Sequence, residues 1–256
     1  MFNQTAYALG ANRSCIRELF EYGRSRAAIV GPENVYDYSL GNPSIPSPKG
    51  VNDAIRDILL DTPSLLVHGY TSATGDLEAR KAISKDLNAR YGADTNPEEF
   101  FLGCGAAPEL CSVFRALSVP GGELIAVAPY FPEYRPFAQE AGLQFKVVPP
   151  DVPDFQISLP RLEALITSHT QAVLINTPNN PSGVVYTRET LQDLAALLTR
   201  KAESYGHPIY LISDEPYREL AYGVEVPFVP GIYRDTLICY SYSKSLSLPG
   251  ERIGYV

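Results

Sequence analysis

Short apolar runs alternate with amphipathic segments along most of this 256-residue chain. The runs Phe100–Leu102, Leu124–Ala128, Phe145–Val148, Ala172–Ile175, Ile209–Ser213, Leu237–Tyr240 and Ile253–Val256 read as strands. Several lack polar–apolar alternation, which predicts strands covered on both faces. Between them, Asp76 is placed to cap a helix running to Tyr91, with Leu77, Ile83 and Leu87 on one stripe and Gly92 as its stop. Pro108–Leu117 predicts a short buried helix and Arg188–Tyr205 a long amphipathic one. Ser14–Val30 and Val51–Leu60 also read as helical, and the Pro-rich stretch 39–48 between them reads as an extended arm. The alternation predicts an α/β fold in three layers, a mostly parallel sheet with helices on both faces.

Composition narrows the class of protein. Hydrophobic residues make up 45% and charged residues 20%, the balance of an ordinary folded domain. A net charge of −8 argues against nucleic acid as a partner, which needs a basic face. No apolar stretch reaches the 18 residues of a membrane span, and the opening residues lack a signal-peptide core. Four cysteines, Cys15, Cys104, Cys111 and Cys239, form no CxxC pair and have no histidines at metal-ligand spacing. They predict buried reduced thiols, no metal site and a cytoplasmic protein. His68 reads as a structural histidine, and His169 and His207 as loop residues.

The candidate chemistry gathers where apolar runs end. After Leu237–Tyr240 come Ser241, Ser243, Lys244 and, eight residues on, Arg252. The carboxyl edge of an open α/β sheet is where ligands bind. Hydroxyls and a guanidinium suit a phosphate, and a lysine beside them forms an imine with an aldehyde if its amine is kept partly neutral. The same stretch alone also reads as a polar loop with a surface lysine. Asp214 closes the run from Ile209, with Tyr217 three residues later. A carboxylate buried there needs a cationic partner such as a protonated pyridine nitrogen, or else serves as a helix cap. Asn180 lies in the proline-rigid turn Asn176-Thr-Pro-Asn-Asn-Pro-Ser-Gly, where its amide can donate to a fixed oxygen. Gly103-Cys-Gly-Ala-Ala precedes a helix, so backbone N–H groups of Gly105, Ala106 and Ala107 face an anion site.

Taken in order, these motifs resemble the class I/II aminotransferase family of fold-type I pyridoxal-phosphate (PLP) enzymes. Ser241-Tyr-Ser-Lys-Ser and Pro249-Gly-Glu-Arg-Ile-Gly look like that family's lysine signature, and the resemblance runs from about Tyr38 to Val256. It implies that Lys244 carries PLP as a Schiff base and shuttles the proton, and that Asp214 pairs with the pyridine nitrogen. Tyr217 and Asn180 would bond the phenolic oxygen, and Phe131 would stack on the ring. Gly105, Ala106, Ala107, Ser241, Ser243 and Arg252 would hold the phosphate. Tyr70 would reach the phosphate of a neighbouring subunit, implying a homodimer, and Gly41 and Asn180 would face the substrate.

The resemblance further implies an arm and small-domain segment over residues 1–48 and a PLP-binding large domain over 49–256. A carboxyl-terminal small domain bearing the substrate-carboxylate arginine is absent from this sequence, and ERIGYV stops within an apparent strand. The expectation is therefore a truncated chain. The implied reaction moves an amino group between an amino acid and a 2-oxo acid. A β-eliminating lyase resembling C–S lyases, or a non-catalytic PLP-binding regulator, would use the same cofactor motifs.

Overall fold

The structure, a computed structural model, describes residues 2, 4–11 and 15–256. It divides into two compact units that meet between Ile45 and Pro46. The first holds helices α1 (Gln4–Ala11) and α2 (Cys15–Val30), the latter closed by a short turn of 3-10 helix at Pro32–Asn34. Ser14, the expected start of α2, lies outside the described residues.

The second unit carries α3 (Lys49–Asp61), α4 (Ser64–Val67), α5 (Leu77–Tyr91), β1 (Leu102–Gly103), α6 (Ala106–Ala116), β2 (Glu123–Val127), α7 (Tyr134–Ala141) and β3 (Gln144–Val148). There follow α8 (Leu159–Leu165), β4 (Thr170–Asn176), α9 (Arg188–Tyr205), β5 (Tyr210–Asp214), β6 (Thr236–Ser241), α10 (Tyr242–Ser245) and β7 (Gly254–Tyr255). The described strands form one sheet in the order β1-β7-β6-β5-β4-β2-β3. The five strands from β6 to β3 are parallel, and β7 pairs antiparallel with both β6 and β1.

The continuous apolar runs have a direct cause. In β2, Ile125 and Val127 point into a core built with α8 and α9, while Leu124 and Ala126 point into another built with α6 and α7. Both faces of the strand are thus dry, so alternation disappears. Leu191, Leu194 and Leu198 pack α9 onto the first face; truncating Leu194, with no exposed surface, would cost about 2–5 kcal/mol. A third cluster seats α5 against the sheet edge through Ile83, Leu87, Ile238, Tyr240 and Tyr255.

Local signals set the helix ends. The Asp76 carboxylate accepts from the Ala79 amide at 2.9 Å, and Gly92 ends α5 in the left-handed region at φ 62°. Thr187 caps α9 in the same way through the Thr190 amide. Three expectations need correction. Leu77 lies at the mouth of α5 and is exposed, so the buried stripe begins at Ile83. Cys104 and Cys111 are exposed thiols and only Cys239 is buried among the cysteines whose side chains are described, because the first two sit on a turn and an outer helix face. His68 is exposed at the end of α4 rather than built into a core. His169 and His207 do lie in loops, before β4 and β5.

Candidate functional site

Parallel pairing brings the ends of three strands together. Asn176 of β4 aligns with Asp214 of β5, and Asp214 aligns with Cys239 of β6, two residues before Ser241. The polar residues that follow each apolar run therefore share one edge of the sheet. Asn176 ties this edge together, a role its place in the turn did not reveal. Its Nδ2 donates to the Asp214 carbonyl at 2.8 Å, and its Oδ1 accepts from the Asn180 amide at 2.6 Å.

Asp214 is buried, and Tyr134 donates its hydroxyl to Oδ2. Oδ1 has no hydrogen-bond partner among the described residues. Burial pushes the carboxyl up to about 7, the Tyr134 hydroxyl opposes that, and the neighbouring Glu215 charge adds to it. Across the loop, Asn180 Nδ2 lies 3.4 Å from the Tyr217 hydroxyl, and both side chains are half-buried. Burial raises the Tyr217 phenol, so it stays a donor. Phe131 is half-buried and meets Tyr134 edge-on, with ring centroids 5.6 Å apart.

Lys244 sits in α10, directly after β6. Partial burial lowers its ammonium below the ordinary lysine range, and the Arg252 charge lowers it further. β6 ends at Ser241 and does not continue through Ser243. Instead Ser241 becomes the cap of α10, accepting from the Ser243 amide at 3.1 Å, and this brings the two hydroxyls within 2.7 Å. Arg252 returns over them, with Nη1 donating to the Pro249 carbonyl at 2.9 Å and lying 3.5 Å from Ser243 Oγ. Its backbone is in the left-handed region at φ 56°, a conformation that costs a non-glycine residue energy and recurs where a ligand dictates position.

The other wall of this cup is the amino end of α6. Gly105 has φ 98°, and a Cβ there would lie 2.7 Å from Arg252 Nη2. Only glycine leaves room for the guanidinium, and the first amides of α6, from Ala106 and Ala107, open beside it. Behind the cup is Glu109, buried, with neither carboxylate oxygen hydrogen-bonded among the described residues. Burial raises it to about 7, partly offset by the Arg252 charge, while the Asp214 charge adds to the rise. The buried pair Arg218–Glu215, at 2.6 Å, lies next to Asp214 in sequence and reaches β7 through Arg218 Nη1 and the Tyr255 hydroxyl at 3.2 Å. Nothing in the spacing of Glu109, Tyr134 or Arg218 marked them; each needed the third dimension.

Tyr70 is fully exposed, and Gly41 belongs to the first unit. No group of three or more His, Cys, Asp or Glu side chains among the described residues could hold a metal. No helix among them is long and apolar enough to cross a membrane.

The fold is a three-layer α/β architecture with polar and titratable residues gathered at one edge of a mostly parallel sheet. Comparison with known proteins agrees. Residues 33–256 match the model of the family "Aminotransferase class I and II". An aspartate aminotransferase of Thermotoga maritima is 34% identical over 238 residues, covering 91% of this chain and 60% of that protein. A probable N-acetyl-LL-diaminopimelate aminotransferase of Bacillus subtilis is 30% identical over 89% of this chain and 56% of its own length. Among solved structures, an aminotransferase from Eubacterium rectale superposes with a TM-score of 0.97 at 54% identity, covering all of this chain and 65% of the other. The chain belongs to the class I and II aminotransferase family. It spans somewhat less than two thirds of the length of these relatives.

Proposed function

We propose that this chain is the cofactor-binding part of a PLP-dependent aminotransferase acting on an amino acid and a 2-oxo acid. The observation that carries the reading is a buried carboxylate at the end of β5, one oxygen of which has no hydrogen-bond partner among the described residues, with a lysine of lowered basicity just past the end of the adjacent β6. The residues present fit the cofactor. Asp214 lacks the cation that a protonated pyridine nitrogen provides, and the Gly105–Arg252 cup with the Ser241 and Ser243 hydroxyls suits a phosphate dianion. Bound PLP supplies an electron sink for the charge left when a bond to the amino acid's α-carbon breaks.

The chain's own residues do the rest. Asp214 keeps the proton on the ring nitrogen. Tyr217 and Asn180 would orient the phenolic oxygen, and Phe131 would pack on the ring. Lys244, its amine neutral at lower pH than an ordinary lysine, would hold the cofactor's aldehyde and, once freed, would act as the base for the substrate's α-proton. Gly105, Ala106, Ala107, Ser241, Ser243 and Arg252 anchor the phosphate, while Gly41 and Asn180 meet the substrate. The relatives named above are called aminotransferases, and no feature of the site favours elimination.

The reading includes a homodimer in the cytoplasm. Tyr70 protrudes fully beside an apolar row in which Leu60, Leu65 and Leu66 are 75%, 89% and 73% exposed, a surface suited to a second copy. The exposed thiols of Cys104 and Cys111 suit a reducing compartment.

The test is to add PLP to the purified protein, reduce with borohydride and map the adduct by mass spectrometry. The expected result is a single modified residue, Lys244. Incubation with amino acids should then yield pyridoxamine phosphate and a 2-oxo acid; pyruvate and ammonia released instead would mean a lyase. An adduct spread over surface lysines would overturn the reading.

A further inference from the structure

Asp214 has two carboxylate oxygens with different fates. The Tyr134 hydroxyl donates to Oδ2, and Oδ1 faces no donor among the described residues. Tyr134 is only 1% exposed, and its ring is fixed by edge-on contact with Phe131 at 5.6 Å and stacking with Tyr130 at 6.3 Å. The donor is therefore preset by α7 packing before any ligand arrives.

We infer that Tyr134 is a positioning residue: its hydroxyl locks the Asp214 carboxylate in one rotamer and reserves Oδ1 for the cationic donor of a bound heteroaromatic ring. The inference rests on the reading of Asp214 given above. Burial and the charge of Asp214 hold the Tyr134 phenol far above its ordinary range, so it donates throughout the working pH span. The other groups facing Asp214 do not help the anion. Glu215 repels it, Glu109 is itself an acid coupled to it, and the Cys239 thiol and Tyr217 phenol are held protonated by burial. The Tyr134 hydroxyl favours the ionised form. It also joins two parts of the site, since Phe131 rests against the same ring. A shift of α7 would thus move the aromatic wall and the carboxylate together.

The experiment compares the protein with Tyr134→Phe, which keeps the packed ring and removes the donor. In the PLP-free protein, the Asp214 carboxyl is titrated by infrared difference spectroscopy, assigned against Asp214→Asn. Its midpoint should rise by about one to two pH units, the worth of a hydrogen bond to a charged group. With PLP bound, the visible band should change at higher pH than in the parent, because a ring nitrogen held less firmly as a cation withdraws less charge from the group attached to Lys244. A merely structural tyrosine would lower the melting temperature and move neither midpoint; that result overturns the inference. If the parent takes up no PLP at Lys244, the functional reading fails, while the PLP-free titration still decides the role of Tyr134. Should Tyr134→Phe not fold, ring-fluorinated tyrosine placed at 134 donates more strongly and should lower the Asp214 midpoint. An unchanged midpoint there overturns the inference equally.

Discussion

The Arg252 guanidinium occupies the space that a side chain on Gly105 would need: a Cβ there would come within 2.7 Å of Nη2. Gly105→Ala must therefore push the arginine aside and force alanine into a φ of 98°. The backbone strain alone is worth about 1–3 kcal/mol. Phosphate and PLP should both bind more weakly to this variant, as isothermal titration would show, with Lys244 still open to borohydride trapping at high PLP. Unchanged phosphate affinity would mean that the cup is not built from this pair.

Glu109 should make stability depend on pH. Its native carboxyl titrates at about 7 rather than 4.5, because it is buried. Below the unfolded value both states are protonated and its contribution is full. As pH rises towards 7 the unfolded chain ionises first, so stability falls, by at most about 3 kcal/mol once both states are charged. Asp214, raised to about 7 from 3.8, adds a loss of the same sign. Urea unfolding of the PLP-free protein at about pH 5 and about pH 7.5 should show the drop, and Glu109→Gln should remove part of it. A variant that loses as much stability as the parent would refute the assignment.

Lys244 should capture PLP at a pH where ordinary lysines remain protonated, since burial and Arg252 lower its basicity. Rapid mixing across a pH series should place the midpoint for covalent capture below that of free lysine. Lys244→Arg should keep phosphate-dependent binding but leave nothing for borohydride to fix.

Arg218 and Glu215 form a buried pair, with side chains 3% and 1% exposed. Removing one partner strands the other charge, at a cost of about 3–5 kcal/mol. Arg218→Met should therefore lower the urea midpoint sharply, and Arg218→Met with Glu215→Gln should recover much of the loss. If the losses simply add, the pair is not coupled.

Much of this was legible in the sequence, for identifiable reasons. Strands buried on both faces announce themselves as unbroken apolar runs, and the Asp76 and Gly92 caps mark α5 to the residue. Strand ends also located Asp214 and Lys244, because the chemistry follows the apolar run directly. What stayed hidden depends on partners far along the chain. Helix α7 buries Tyr134, Ala138 and Ala141 on one short stripe, and a stripe reports packing only, so nothing marked the Tyr134 hydroxyl as the donor to a residue eighty positions away. The Ser241–Ser243 hydroxyl pair arises from a helix cap that only the fold reveals. Glu109 drew no notice in the sequence, and only the fold shows it walled in by Gly103 and Gly254.

The antiparallel return of β7 beside β1 has a kinetic corollary. Gly105 and Arg252 are brought face to face only when the sheet has closed across distant parts of the chain, and such non-local pairings form late because loop closure must precede them. Capture of an anion in that recess is then a time stamp on refolding. A phosphate-quenched probe should respond after the far-ultraviolet signal of the helices has already recovered.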